Sequence, residues 1–246
     1  MDRQADQDCR GPASRQDGRL VIARPITVIA LLLLAGTVLA HGVAGTDAEF
    51  LERNAGQALL IFAYLGAKHM VTGYDHLLYL LGVIFFLYRA KDIAVFVSLF
   101  AVGHSITLLT GVLADITVNA FLIDALIGMS VVYKAFENLD GFRKTIGWQP
   151  NPKVAVFSFG LAHGFGLATK LQEFELSAEG LVANIIAFNV GVEIGQLLAL
   201  AVLLFLINAW RATGSFLVHA KTFNVLLMFA GFLLTVYQLT GFFIAG

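Results

Sequence analysis

The chain has 246 residues, of which 58% are hydrophobic and only 13% are charged, and its mean hydropathy is +0.80. A soluble domain carries about a quarter charged residues, so this composition is typical of a protein embedded in a lipid bilayer. The formal net charge of -1 provides no basic surface for nucleic acid. A single cysteine, Cys9, excludes a disulfide framework and a thiolate metal site.

Residues 1–40 have the pattern of a signal peptide. Arginines precede an apolar run over residues 26–39, which ends in a small-residue cleavage pattern. The run is short for a membrane span, so we expect cleavage after Ala40 rather than an uncleaved anchor. Cleavage leaves residues 41–55 as a short periplasmic segment that begins at His41. An amino-terminal histidine can chelate a metal ion through its amine and its ring, although a solvated residue is the simpler interpretation.

Six apolar stretches follow, most of them near the ~20 residues that a spanning helix needs. They cover residues 74–89, 93–113, 117–138, 153–172, 181–210 and 222–244. The first, third and fifth loops between them carry Lys and Arg, whereas the second loop has no base and the fourth carries glutamates. By the positive-inside rule the basic loops are cytoplasmic. We therefore predict a multi-pass protein of the bacterial inner membrane, with both mature termini in the periplasm.

The residues from 56 to 89 are almost continuously apolar, although this topology allows them one crossing. As one helix they would be ~50 Å long, well beyond the ~30 Å hydrocarbon core. Glycine weakens a helix, so Gly73 marks the predicted interruption. We predict that residues 56–72 form a re-entrant or interfacial helix that brings His69 to the break. Two full spans here would invert every later loop. Residues 56–246 would then form an all-α membrane bundle of six transmembrane helices plus this short helix.

Polar side chains inside these apolar stretches predict a cation site. A charged residue at membrane depth costs at least ~2.5 to 3.5 kcal/mol, so such residues must meet one another, water or an ion. The candidates fall into three sequence patches and two flanking carboxylates: His69, Asp75 and His76; His104 and Ser105; His163, Asn189, Glu193 and Gln196; and Asp124 and Glu137. Imidazole, carboxylate and amide ligands without thiolate suit borderline divalent ions, namely nickel, cobalt, zinc, copper(II) and iron(II).

Spacing predicts how the third patch is assembled. Asn189, Glu193 and Gln196 follow an i, i+4, i+7 pattern and form one polar stripe. Pairs of glycines four residues apart flank both His163 and Glu193 and permit close helix packing. We therefore expect the fourth and fifth spans to cross at the site. The structural alternative is that the histidines are packing residues and that the amides only join helices.

The motifs resemble those of the HupE/UreJ family of nickel permeases. The resemblance begins at the string from His69 to His76 and continues, in order, through 103–108, 137–139, 160–166 and 188–196. It implies a cleaved signal peptide, about six spans, and uptake of nickel or cobalt in support of hydrogenase or urease. Asp124 falls where the family is expected to carry an acidic residue, commonly glutamate.

The favoured function is a secondary permease or channel that passes a divalent ion inward as its substrate, with no prosthetic group. His69, Asp75 and His76 would capture the ion, His104, His163, Asn189 and Glu193 would hold it near the midplane, and Glu137 would receive it at the cytoplasmic end. No phosphate-binding loop indicates ATP as the energy source. The rival class is an intramembrane zinc hydrolase built beside Ser105. A third hypothesis is a metal-storing or metal-insertion partner of a larger membrane complex, and homo-oligomers are left open.

Overall fold

A computed structural model describes residues 58–172 and 180–245 of the chain. The predicted signal peptide, the segment 41–55 with His41, and the glutamates of the fourth loop lie outside the described residues.

The described residues form helices and contain no strand, which confirms the predicted all-α class. In chain order the helices are α1 (Leu59–Thr72), α2 (Tyr74–Ile84), α3 (Ala90–Leu113), α4 (Ala120–Asn138), α5 (Gly141–Ile146), α6 (Pro152–Gln172), α7 (Leu181–Ala212) and α8 (Phe216–Ala245). By length and composition α3, α6, α7 and α8 can each cross a membrane, while α1 and α2 are shorter apolar helices. These long apolar helices show a membrane-integral protein. A count of six spans requires that α4 and the α1–α2 pair also cross.

The side chains are distributed as expected for a protein solvated by lipid. Large apolar residues such as Phe205 and Phe229 are exposed on the outer faces of α7 and α8. Polar residues such as His163, Gln196 and Asn224 are buried among the helices. Polar groups in a hydrocarbon environment must be satisfied inside the bundle, which explains this arrangement.

Two pairs of closely packed helices run parallel. In the first pair, the amide of Ala58 donates to Oδ1 of Asn184 (2.9 Å), and nearly three turns further on α1 packs against Gly195 of α7. In the second pair, Thr107 of α3 bonds to the carbonyl of Leu161, and Gln172 at the end of α6 bonds to the carbonyl of Gly111. In both pairs the contacts advance along the two helices together.

The third closely packed pair, α4 and α8, is antiparallel. Asn138 at the end of α4 bonds to Asn224 near the start of α8 (2.9 Å). At the other end of α4, the carbonyl of Ala125 faces the hydroxyl of Thr235.

Gly73 separates α1 from α2 and has an extended backbone (φ -70°, ψ 101°), so the predicted break is confirmed. α1 lies along the first half of α7. At the end of α2, the carbonyls of Ile84, Phe85 and Leu87 accept hydrogen bonds from Nη2 of Arg211, in the last turn of α7. α1 and α2 therefore follow α7 in one direction as two halves of a broken helix. The re-entrant or interfacial position of residues 56–72 in the membrane stays a prediction.

The glycine pairs do not bring α6 and α7 together, which corrects the prediction that these two spans cross at the site. A Cβ at Gly160 would overlap the carbonyl of Phe100, so this glycine packs α6 against α3. A Cβ at Gly191 would overlap the carbonyl of Ala63, so this glycine packs α7 against α1. The spacing of small residues marks a face that permits close approach, but it does not identify the neighbour.

The α1–α7 contact gives a prediction for stability. A Cβ at Gly66 would overlap the backbone carbonyl of Phe188, and backbone cannot move aside as a flexible side chain can. We expect Gly66→Ala to destabilise the fold by about 1 to 3 kcal/mol, the usual cost of overpacking. The measurement is thermal unfolding of the purified protein in detergent. Ala201→Leu, which adds bulk to the exposed face of α7, is the control. Equal melting temperatures for Gly66→Ala and the wild type would contradict the packing.

Candidate metal site

Three histidines from three helices meet beside the break between α1 and α2. His69 lies in the last turn of α1, His76 in the first turn of α2, and His163 in the middle of α6. The ring centroids of His69 and His76 are 5.1 Å apart, and those of His76 and His163 are 5.0 Å apart. His76 is therefore the central member of this group, which we call the histidine cluster.

Asp75 orients the central imidazole. Its Oδ1 accepts a hydrogen bond from Nδ1 of His76 (2.9 Å) and another from the backbone amide of His76 (2.9 Å). Asp75 also lies in the first turn of α2, where the helix dipole favours a carboxylate. A proton on Nδ1 leaves the lone pair of Nε2 free, and a carboxylate behind a histidine is the usual support of a metal ligand. The structure thus makes Asp75 the positioning residue for His76.

The absence of a side chain at Gly73 allows this pair to form. A Cβ there would lie 2.8 Å from Nδ1 of His76 and 3.0 Å from Oδ1 of Asp75. The residue that breaks the helix therefore also leaves room for the hydrogen bond beside the break.

His163 shows the same division between its ring nitrogens. Nδ1 donates to the carbonyl of Phe159 (2.7 Å), one turn earlier on α6. Nε2 is buried and has no hydrogen-bond partner in the described part of the chain, and only 1% of the residue is exposed. A buried polar atom without a partner costs about 1 to 3 kcal/mol, so it requires an explanation. A free imidazole lone pair beside two other imidazoles fits a divalent transition metal.

A second polar group lies next to the histidine cluster. His104 of α3 is buried, and its Nε2 also has no partner among the described residues. The ring of Phe100 stacks on His104 at 6.2 Å and meets His163 edge-on at 4.9 Å, so both imidazoles contact the same aromatic ring. Asn189 of α7 donates to the hydroxyl of Ser105, the residue after His104 (2.6 Å). These contacts bring α3 and α7 to the site.

The structure does not bring Glu193 to the imidazoles. Glu193 lies on the exposed face of α7 and forms no ion pair or hydrogen bond with a residue of 58–172 or 180–245. Gln196, in contrast, is buried and lines a narrow cavity together with His76. The predicted stripe is therefore divided between two faces of α7.

The cavity that Gln196 and His76 line is also lined by Tyr79, whose buried hydroxyl has no partner in the described residues. Sequence reasoning missed Tyr79, although its spacing of three from His76 was a signal.

Both flanking carboxylates are paired with lysines that sequence reasoning passed over. Nζ of Lys170 lies 2.9 and 2.8 Å from the two oxygens of Asp124. Nζ of Lys134 lies 3.0 Å from Oε2 of Glu137, and both side chains are buried. The presence of Lys134 inside an apolar stretch was the available signal.

Within residues 58–172 and 180–245, no three His, Cys, Asp or Glu side chains form a ready metal-binding group. Joint ligation by His69, His76 and His163 therefore requires the rings to turn towards a common point.

An all-helical chain whose apolar helices enclose several imidazoles defines a polytopic membrane protein with a candidate metal site. A family model described as HupE / UreJ protein matches residues 45–246. The chain therefore belongs to the HupE/UreJ family, as its motifs predicted, and this is a family of transport and accessory proteins associated with nickel and cobalt transport. Comparisons with the curated proteins and with the solved structures gave no match.

The Asp75–His76 hydrogen bond gives a prediction for metal affinity. Asp75→Asn keeps the size of the side chain but removes the charge that holds the imidazole and supports its basicity. We expect the affinity for Ni²⁺ to fall about 10- to 100-fold, the usual effect of losing such a partner. The measurement is calorimetric titration of the purified protein in detergent. Asp92→Asn, in the exposed first turn of α3, is the matched control. Unchanged affinity in Asp75→Asn would remove Asp75 from the site.

Proposed function

We propose that the protein is a secondary permease that moves a divalent transition metal, nickel or cobalt, inward across the bacterial inner membrane through the histidine cluster. The observation that carries this proposal is the fixed orientation of two buried imidazoles. Asp75 and the Phe159 carbonyl each bind an Nδ1 atom, so that His76 and His163 retain free Nε2 lone pairs. The association of the family with nickel and cobalt transport supports the choice of ion.

The directions of the helix pairs support six crossings. If α1 and α2 make one crossing together, α7 is the fifth, and two odd-numbered crossings run in the same direction. The parallel pair α3 and α6 are then the second and fourth crossings, and the antiparallel pair α4 and α8 are the third and sixth. Separate crossings by α1 and α2 would require α1 and α7 to be antiparallel, contrary to their contacts. The basic loops then lie on the cytoplasmic side.

Burial along the histidine cluster supports capture from the periplasmic side. His69 is partly buried, the Asp75 side chain is 28% exposed, and His76 is 5% exposed. His163 lies deepest. An ion that arrives at the break would also meet the carbonyl end of α1, which carries partial negative charge. Each step inward thus exchanges hydration for a protein ligand.

Beyond the histidine cluster, the polar groups offer further steps towards the cytoplasm. Nε2 of His104 and Oδ1 of Asn189 are buried and have no partner in the described residues. The cavity with Gln196 and Tyr79 leads on from His76. Glu137 then lies near the cytoplasmic end, where its pairing with Lys134 must open before it can receive the ion. Several weak sites in series suit conduction, because the ion must be able to leave each of them.

The contacts of Ser105 give it a part in helix packing. Its hydroxyl donates to the carbonyl of Ala101 (2.7 Å) and accepts from Asn189. The side chain therefore joins α3 to α7, and zinc-dependent hydrolysis would use a metal-bound water rather than this serine as the nucleophile. The metal-insertion hypothesis shares the same ligands and differs in that it predicts little transport by the protein alone.

Metal uptake tests the proposal. We expect His76→Ala and His163→Ala each to reduce Ni²⁺ uptake into proteoliposomes at least about tenfold, because each removes an imidazole that the fold holds in a binding orientation. His219→Ala is the matched control, since His219 bonds to the carbonyl of Ser215 at the start of α8. Uptake at the wild-type rate in both cluster variants would contradict the proposal. Wild-type protein that binds nickel but does not move it would favour metal insertion.

The position of Glu193 gives a separate prediction. Because Glu193 faces outward from α7, we expect Glu193→Gln to keep Ni²⁺ uptake close to the wild-type rate, since the substitution removes no group of the histidine cluster. Asp75→Asn, measured in the same proteoliposomes, should lose uptake. Loss of uptake in Glu193→Gln, with normal insertion, would restore Glu193 to the ion path.

A further inference from the structure

Asp124 is held between three helices by a lysine and a glutamine. Lys170, in the last turn of α6, places Nζ against both oxygens of the Asp124 carboxylate on α4. Nε2 of Gln238 on α8 lies 3.4 Å from Oδ2. The Asp124 side chain is 13% exposed and the Lys170 side chain is 24% exposed. The carboxylate is thus enclosed, while the lysine retains access to the surface.

This ion pair lies on the side of α6 that carries His163. Lys170 follows His163 by seven residues on α6, so the two side chains share a face of the helix two turns apart. A divalent ion at the histidine cluster would therefore attract Asp124 and repel the ammonium of Lys170. Between charges that are only partly exposed, such forces are weakly screened.

A lysine suits an exchangeable ion pair. Its ammonium is a compact charge on a flexible four-carbon stem, whereas arginine would grip the carboxylate with two fixed hydrogen bonds. Lys170 can therefore leave Asp124 by rotation of its side chain alone. Its charge moves to the exposed end of α6, and no bond or proton has to be transferred.

We propose that Lys170 acts as a tethered cation. Its ammonium binds the carboxylate of Asp124, and the incoming divalent ion must displace it. This inference rests on the proposed function and adds a residue that sets the affinity of its site. Displacement gives the ion Asp124 as a further oxygen ligand. Return of Lys170 withdraws that ligand and helps to release the ion from the histidine cluster.

The test is calorimetric titration of Ni²⁺ into the purified full-length protein in detergent, which does not depend on transport. We expect Lys170→Gln to bind Ni²⁺ about tenfold more tightly, because the competing ammonium is gone. The double variant Asp124→Asn with Lys170→Gln should lose this gain, because the ligand that Lys170 masked is also gone. Lys153→Gln, which removes an equal charge from an exposed position on α6, should bind like the wild type.

A second variant keeps the proposal testable if Lys170→Gln does not fold. Lys170→Arg retains the charge and the pairing but holds Asp124 more firmly, so we expect Ni²⁺ to bind several-fold more weakly. If Lys170 only neutralises Asp124 for stability, Lys170→Arg should bind Ni²⁺ like the wild type. That result would overturn the proposal.

The outcomes separate this inference from the function on which it rests. Wild-type protein that binds Ni²⁺ in detergent but fails to take it up would contradict the permease, while the ratio between Lys170→Gln and wild-type affinities would still decide the role of Lys170. Wild-type protein that binds no Ni²⁺ would overturn both proposals. Normal binding and uptake, with no change in affinity in the Lys170 variants, would overturn only the tethered cation.

Discussion

The hydrogen bond to Nδ1 of each buried imidazole is the interaction on which the candidate site depends. An imidazole can ligate a metal through one nitrogen only if the other carries the proton, and the partner of that proton fixes the ring. Asp75 performs this task for His76, and a backbone carbonyl performs it for His163. The two hydrogen-bond partners have different effects on a bound ion. Asp75 adds a negative charge near the bound ion, whereas the carbonyl supplies orientation alone.

The local geometry of the helices supplies both hydrogen-bond partners, a carboxylate beside a helix break and a carbonyl inside an unbroken helix. The interruption at Gly73 places Asp75 in the first turn of a new helix, and the missing Cβ leaves room for the carboxylate to reach the ring behind it. α6 has no such break, so the carbonyl one turn before His163 is in place for its Nδ1 atom. The close parallel packing of α3 with α6 then brings His104 near His163. Broken and unbroken helices thus contribute different ligands to one site.

The sequence predicted the helices, the break at Gly73 and the family, because these depend on local composition, glycine and contiguous motifs. It did not predict which helices pack together. The glycine pairs around His163 and Glu193 indicate faces that permit close approach, yet those faces pack against α3 and α1. Helical spacing placed Glu193 on the stripe of Asn189 and Gln196. Glu193 is nevertheless rotated by about 40° from Asn189 and about 60° from Gln196 around the helix axis, which is enough to turn it to the outside. The partner of Asp124 lies 46 positions further along the chain and has no local signal.

X-ray absorption spectroscopy of the purified, nickel-loaded protein tests the central claim most directly, because it identifies and counts imidazole ligands. We predict a shell of nitrogen and oxygen atoms with two or three imidazoles and no sulfur, and the loss of imidazole scattering in His76→Ala. A shell of oxygen atoms alone, or one that His76→Ala and His163→Ala leave unchanged, would contradict the histidine cluster as the metal site.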